Sequence, residues 1–184
     1  MTFRVCMRTY VIFLANAKKS LDSMTEESSI YNDNILYGTN VIISCVGCIE
    51  TFVNQLFQSY TNLNCYDQLR LAGKIETLYN LRSKTVDWRS NPYQMFQKII
   101  GIRNWLIHFK DEDIGLLNSR GKWIKDNVNV LPKKDPYIIF TKDNCQKYYN
   151  ETRKIIIDLS EMMNIDEYMY KWVKEETFDY FEMG

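Results

Sequence analysis

The sequence predicts an all-α fold: an up-and-down helical bundle of five to six helices, interrupted by one long irregular connection over about residues 111–141. Three observations carry this. Glycine (7) and proline (3) are scarce among 184 residues, too few turn-formers for a sandwich or barrel of many short strands. Apolar residues recur at steps of three and four along most of the chain, the period of a helix with a buried face. Finally, 46% apolar and 25% charged residues is the composition of a chain that folds around a core. No repeat, low-complexity tract or linker divides residues 1–184, which read as a single domain.

The elements follow in order. Phe3, Met7, Tyr10, Leu14, Ala17, Leu21 and Met24 alternate steps of four and three, the seven-residue seam of a helix packed at a shallow angle, and the polar patch 25–29 ends it. A second helix is predicted over about 39–60, with Val41, Ile42, Cys45, Ile49, Phe52, Val53 and Leu56 facing the core. A third covers about 65–84 and carries Leu69, Ala72, Ile75, Leu78 and Leu81. Asn91-Pro92 is a start signal for a fourth, because proline is tolerated in the first helical turn, and it runs to about residue 110. Gly115, Gly121, Pro132 and Pro136 then break the period, with 136–140 as a short strand or extended piece. A fifth helix over about 142–164 and a shorter sixth over about 165–181 complete the chain.

Charge and cysteines narrow the function classes. With 23 basic and 23 acidic side chains the net charge is zero, so any site for a polyanion must be local. The longest apolar run, Val41 to Ile49, is half of what a membrane span needs, and no membrane partner is expected. Arg4 and Arg8 ahead of Tyr10–Leu14 imitate a signal peptide, but about five apolar residues are too few for its core, and the segment reads as mature helix. Five cysteines (6, 45, 48, 65 and 145) form no disulfide framework, which suggests reduced thiols and a cytoplasmic location. Cys45-xx-Cys48 has zinc-like spacing, yet no second pair or nearby histidine completes four ligands. These read as core cysteines, and neither metal nor cofactor is expected. The chain contains no phosphate-cradling glycine loop, His-Glu-xx-His or Gly-x-Ser-x-Gly.

The fourth helix holds the single histidine, in Gly101-Ile-Arg-Asn-Trp-Leu-Ile-His-Phe-Lys110. At about 100° per residue, Met95, Ile99, Ile102, Trp105, Leu106 and Phe109 make one apolar face. Phe96, Ile100 and Ile107 lie on the other side, among Arg103, Asn104 and His108. A helix apolar nearly all round is expected to be buried all round, by its own bundle and, on the second face, by another subunit.

Arg103-Asn104-Trp105-Leu106-Ile107-His108 resembles the Arg-x4-6-His signature of the HEPN superfamily, in the Arg-Asn-xxx-His form of its ribonuclease members. Three features agree: the late position in a fourth helix of an all-α bundle, the Glu50-xxx-Asn54 stretch on an earlier helix, and the proline-led Pro92–Phe96 approach. The resemblance spans about residues 3–164 and implies a metal-independent endoribonuclease, a homodimer whose two motifs line one cleft. The further partners are an RNA substrate and an antitoxin or regulatory protein, in a toxin or phage-defence setting. His108 would act as general acid or base, Arg103 would bind the scissile phosphate, and Asn104 would orient the imidazole or a phosphate oxygen. Glu50 and Asn54 would support them, with Glu50 pairing Arg103. Some members carry a modified tyrosine two positions after the histidine; here Lys110 stands there, which leaves Tyr93 or another tyrosine to take that role.

The residues themselves point to a compatible chemistry. Attack by a 2′-hydroxyl needs one proton removed and another donated, and histidine suits both tasks near neutral pH. One chain has one histidine; a two-fold dimer has two, with two arginine forks for the phosphate. Between Asn118 and Lys142 the local balance is +4, and Arg120, Lys122 and Trp123, with Lys110, are the candidates to steer RNA and stack a base. From Asp158 to Gly184 the balance is −6, which reads as a solvated face. The competing expectation is a non-catalytic helical module of the same fold that binds a protein or nucleotide partner.

Overall fold

The computed structural model describes residues 9–25, 31–61, 69–107 and 139–176. Among these there are α-helices, one 3-10 turn and no strand: α1 (Thr9–Asp22), α2 (Tyr31–Tyr60), α3 (Leu71–Asn80), α4 (Asn91–Ile107), α5 (Lys142–Met162), the turn Glu167–Met169 and α6 (Lys171–Glu175). The all-α bundle is therefore observed.

The 30-residue α2 is the axis on which the other helices pack. Helix α1 runs antiparallel to it: the Tyr10 ring meets Phe52 edge-on at 4.9 Å, and Phe13 lies over Gly47. Helix α5 runs parallel, since Phe140 sits on Gly38 and Cys145 and Thr152 lie beside Cys45. Helix α4 is antiparallel to α5, with Tyr93 bonded to Asp158 and the Lys98 ammonium over the Tyr148 ring. These pairings bury one side of α2. Val41, Ile42, Cys45, Ile49, Phe52, Val53 and Leu56 are buried as expected, and so are Val46, Cys48 and Phe57. By length and composition Asp33–Tyr60 is also apolar enough to cross a membrane, a property the run Val41–Ile49 understates, and half of its most apolar window is buried inside the bundle.

Helix ends account for most departures from the expected boundaries. Helix α2 begins earlier than residue 39. The third helix is shorter than 65–84, because Ser83 takes a left-handed φ of 54° while the Lys84 amide returns to the Tyr79 carbonyl. Leu69 and Leu81, expected in its core stripe, are 37% and 50% exposed. Thr141 caps α5 by accepting from the Asn144 amide, and Asn164 closes it in the left-handed region while the Ile165 amide bonds to Ser160. Asparagine tolerates that conformation better than most residues. Within the described residues, the expected sixth helix is the 3-10 turn and α6, the latter closed by Arg153, which donates to the Val173 and Lys174 carbonyls. Phe3, Met7, residues 62–68 and 108–138, and the chain beyond 176 lie outside the described residues.

The expected two faces of α4 need correction. Its buried residues are Tyr93, Phe96, Ile99 and Ile102, an arc of about 180° centred near the direction of Arg103 at about 100° per residue. Phe96 belongs to the chain's own core, stacked on Trp88, and Ile100 packs against that core. Met95 and Leu106 lie inside the arc toward its Ile102 end and Trp105 lies beyond that end, all half-buried rather than forming its centre. Of the three residues assigned to a second face, only Ile107 is exposed, at 58%.

Two predictions follow from this packing. A Cβ on Gly38 would come within 2.7 Å of Phe140, whereas one on Gly73 would meet nothing within 4 Å. In urea unfolding, Gly73→Ala should gain up to about 1 kcal/mol from helix propensity, and Gly38→Ala should lose about 1–3 kcal/mol from overpacking. The second concerns alkali. Cys45, Cys48 and Cys145 are buried, and burial pushes the thiols of Cys45 and Cys145 up to about 12 and raises that of Cys48. The folded state then holds thiol protons that the unfolded chain releases above its ordinary value of about 8.5. Stability should be level below that pH and fall above it by about 1.4 kcal/mol per pH unit for each thiol, as urea unfolding at pH 7, 9 and 10 would measure.

Candidate functional site

Two of the residues singled out, Glu50 on α2 and Arg103 on α4, meet at one edge of the bundle. Arg103 leaves the broad buried arc of α4 toward α2, and its Nη2 donates to Glu50 Oε1 at 2.6 Å. The two side chains are 25% and 40% exposed, so the pair lies at the surface of the helix–helix seam. Glu50 engages the guanidinium through one contact, and a guanidinium has five donors in a planar fork suited to a phosphate.

Asn54, one turn along α2 from Glu50, does not join that contact. Its Oδ1 accepts from Lys74 Nζ at 2.7 Å, so α3 supplies a second cation to the same α2 stripe. Lys74 is 7% exposed. Sequence reasoning passed over it, although a lysine set among Leu71, Ile75 and Leu78 at the apolar period of α3 is a legible anomaly. Asn104 is exposed, about 100° around the helix from Arg103. His108, Lys110, Arg120, Lys122 and Trp123 lie outside the described residues.

A second polar cluster ties α3, α4 and α5 together. The Tyr93 hydroxyl donates to Asp158 Oδ2 at 2.8 Å, the Tyr79 hydroxyl reaches the same oxygen, and the two hydroxyls are 2.8 Å apart. Burial is the main cause that raises both phenols above their ordinary value; contact with Asp158 raises Tyr79 further against a lowering bond from Tyr93, and contacts with Tyr79 and Asp158 both raise Tyr93. At 3% exposed, with its hydroxyl engaged, Tyr93 is not a surface acceptor, which corrects the expectation that it could replace a modified tyrosine. Among the described residues no three His, Cys, Asp or Glu side chains converge in a metal-binding arrangement.

The two clusters should respond differently to mutation. Glu50→Gln removes a partly exposed pair and should cost less than about 1 kcal/mol. Tyr93→Phe deletes a buried hydroxyl from a carboxylate and should cost about 1–3 kcal/mol; thermal unfolding of both variants measures the contrast. Comparison with protein-family models, with curated proteins and with solved structures returns no match for this chain.

Proposed function

We propose that the edge between α2 and α4 is the phosphate-binding half of a metal-independent endoribonuclease site, completed in a homodimer. The carrying observation is the Glu50–Arg103 pair, which fixes the arginine of Arg103-Asn104-xxx-His108 at the bundle surface. In this reading Arg103 exchanges part of its contact with Glu50 for the scissile phosphate and stabilises the charge that develops as the 2′-hydroxyl attacks. Glu50 holds the guanidinium in position before substrate arrives. His108 of one copy removes the 2′-hydroxyl proton, His108 of the other protonates the leaving 5′-oxygen, and a 2′,3′-cyclic phosphate remains. Asn104 orients the imidazole or a phosphate oxygen, and Lys110, Arg120, Lys122 and Trp123 contribute RNA contacts.

An exposed apolar stripe supports the dimeric part. Leu36 and Ile43 on α2 are 58% and 43% exposed, and with Glu50 they repeat every seven residues, so they share one face. Because α4 runs antiparallel to α2, Ile107 lies toward Ile43 from the Arg103–Glu50 contact. Closing these side chains against their symmetry mates would bring two Arg103 forks toward one axis. A cytoplasmic toxin or phage-defence effector, restrained by an antitoxin or regulatory protein, is the setting that fits a chemistry needing no cofactor.

A second reading has its own observation. The chain is neutral overall and Glu50 already neutralises Arg103, as a non-catalytic module binding a protein or nucleotide partner would allow. Incubation with RNA in EDTA separates the two. Cleavage giving 2′,3′-cyclic phosphate ends, reduced at least about a hundredfold in His108→Ala, as expected for loss of a general acid–base group, is the result expected of the ribonuclease. Equal cleavage by wild type and His108→Ala, or dependence on added metal, would overturn it.

A further inference from the structure

A cavity of about 270 Å³ opens where α1, the last turns of α2 and the 3-10 turn meet. Tyr10, Phe52, Leu56 and Tyr170 form its buried side, and Gln55, Ser59, Tyr60 and Met169 its exposed side. It shares no residue with the Arg103–Glu50 contact. The walls are fastened before any ligand arrives. The Tyr10 ring meets Phe52 edge-on, and its hydroxyl donates to the Met169 carbonyl at 2.8 Å. The Arg82 guanidinium lies 5.7 Å from the centre of the Tyr60 ring, and the Lys174 ammonium 4.9 Å from that of Tyr170. A site held in this way loses little freedom on binding. Tyr60 and Met169 are 42% and 43% exposed, apolar surface that an occupant would take from water.

The lining selects the ligand. No Asp, Glu, Lys or Arg side chain lines the cavity, so a buried ion would lose its hydration and gain no partner. A cation is opposed further, because Tyr60 and Tyr170 already hold the positive groups of Arg82 and Lys174. Roughly 150 Å³ accepts one benzene ring, which leaves room here for two fused rings. The exposed Gln55 amide offers an acceptor and two donors beside them. We propose that this cavity binds an uncharged aromatic small molecule of two fused rings, which presents one N–H to the Gln55 amide oxygen. The assignment is independent of the ribonuclease reading.

Calorimetric titration of the full chain at pH 7 with indole and its derivatives tests it. Indole should bind one-to-one with Kd below about 1 mM. N-methylindole, which lacks the donor, should bind about fivefold more weakly, and Gln55→Leu should remove that preference. Tryptamine and indole-3-acetate add a positive and a negative charge, and each should bind at least about tenfold more weakly than tryptophol, an uncharged molecule of similar bulk. Ser59→Phe fills the cavity from an exposed position whose hydroxyl bonds its own helix at the Gln55 carbonyl, and should abolish binding. Met169→Trp fills it from the 3-10 turn, so one misfolded variant leaves the other decisive. Absence of saturable indole binding, or equal binding by wild type and the filled variants, would overturn the proposal. So would tryptamine binding as tightly as tryptophol, the mark of a cation cage, or equal affinity for indole and N-methylindole.

Discussion

The structure depends on having to cover a helix that is apolar on most of its circumference. Ten core positions between Val41 and Phe57 are buried, far more than one neighbouring helix can cover. Elements α1, α3, α4 and α5 each pack against α2, and their directions follow from where its small residues allow close approach. Gly47 admits the Phe13 ring and Gly38 admits Phe140. A side chain at either position would push its neighbour outward, so the two glycines set how tightly α1 and the start of α5 sit.

Polar groups on α2 lie mainly on the half of the helix that this crowding leaves uncovered, and Glu50 and Asn54 stand near its border with the packed half. Their partners therefore have to come from the helices on either side, Arg103 from α4 and Lys74 from α3. The site is a by-product of packing in this sense: the seams that bury the core also deliver two cations to one edge. A partly exposed ion pair contributes little to stability, so the bundle survives if a ligand takes the arginine from Glu50. The Tyr79–Tyr93–Asp158 cluster is built the other way, with phenols that burial keeps protonated, and it serves to hold three helices together.

The fold was largely legible in the sequence because its signals are periodic and strong. The seam Tyr10–Leu14–Ala17–Leu21–Met24 is buried throughout, and the Glu50–Arg103 contact joins two residues that the sequence pattern itself pairs. What periodicity could not supply was the centre of the α4 face. A helix with apolar residues on most sides does not say which arc its own bundle will take, and tertiary packing chose the arc containing Phe96 and Ile100. Helix ends were misjudged where they depend on a left-handed residue such as Ser83 or Glu176, positions that no apolar pattern marks. Lys74 has no place in an apolar periodicity, which marks which positions face the core but not which polar group is drawn in with them.

The antiparallel course of α4 and the seating of Phe140 on Gly38 bring the exit of one helix and the approach to the next to the same half of the bundle. The chain between them departs and returns without having to span the molecule. Closure entropy grows only logarithmically, so doubling the length of such an excursion adds about 0.6 kcal/mol. The scaffold therefore sets little limit on the length of the connection from Ile107 to Ile139.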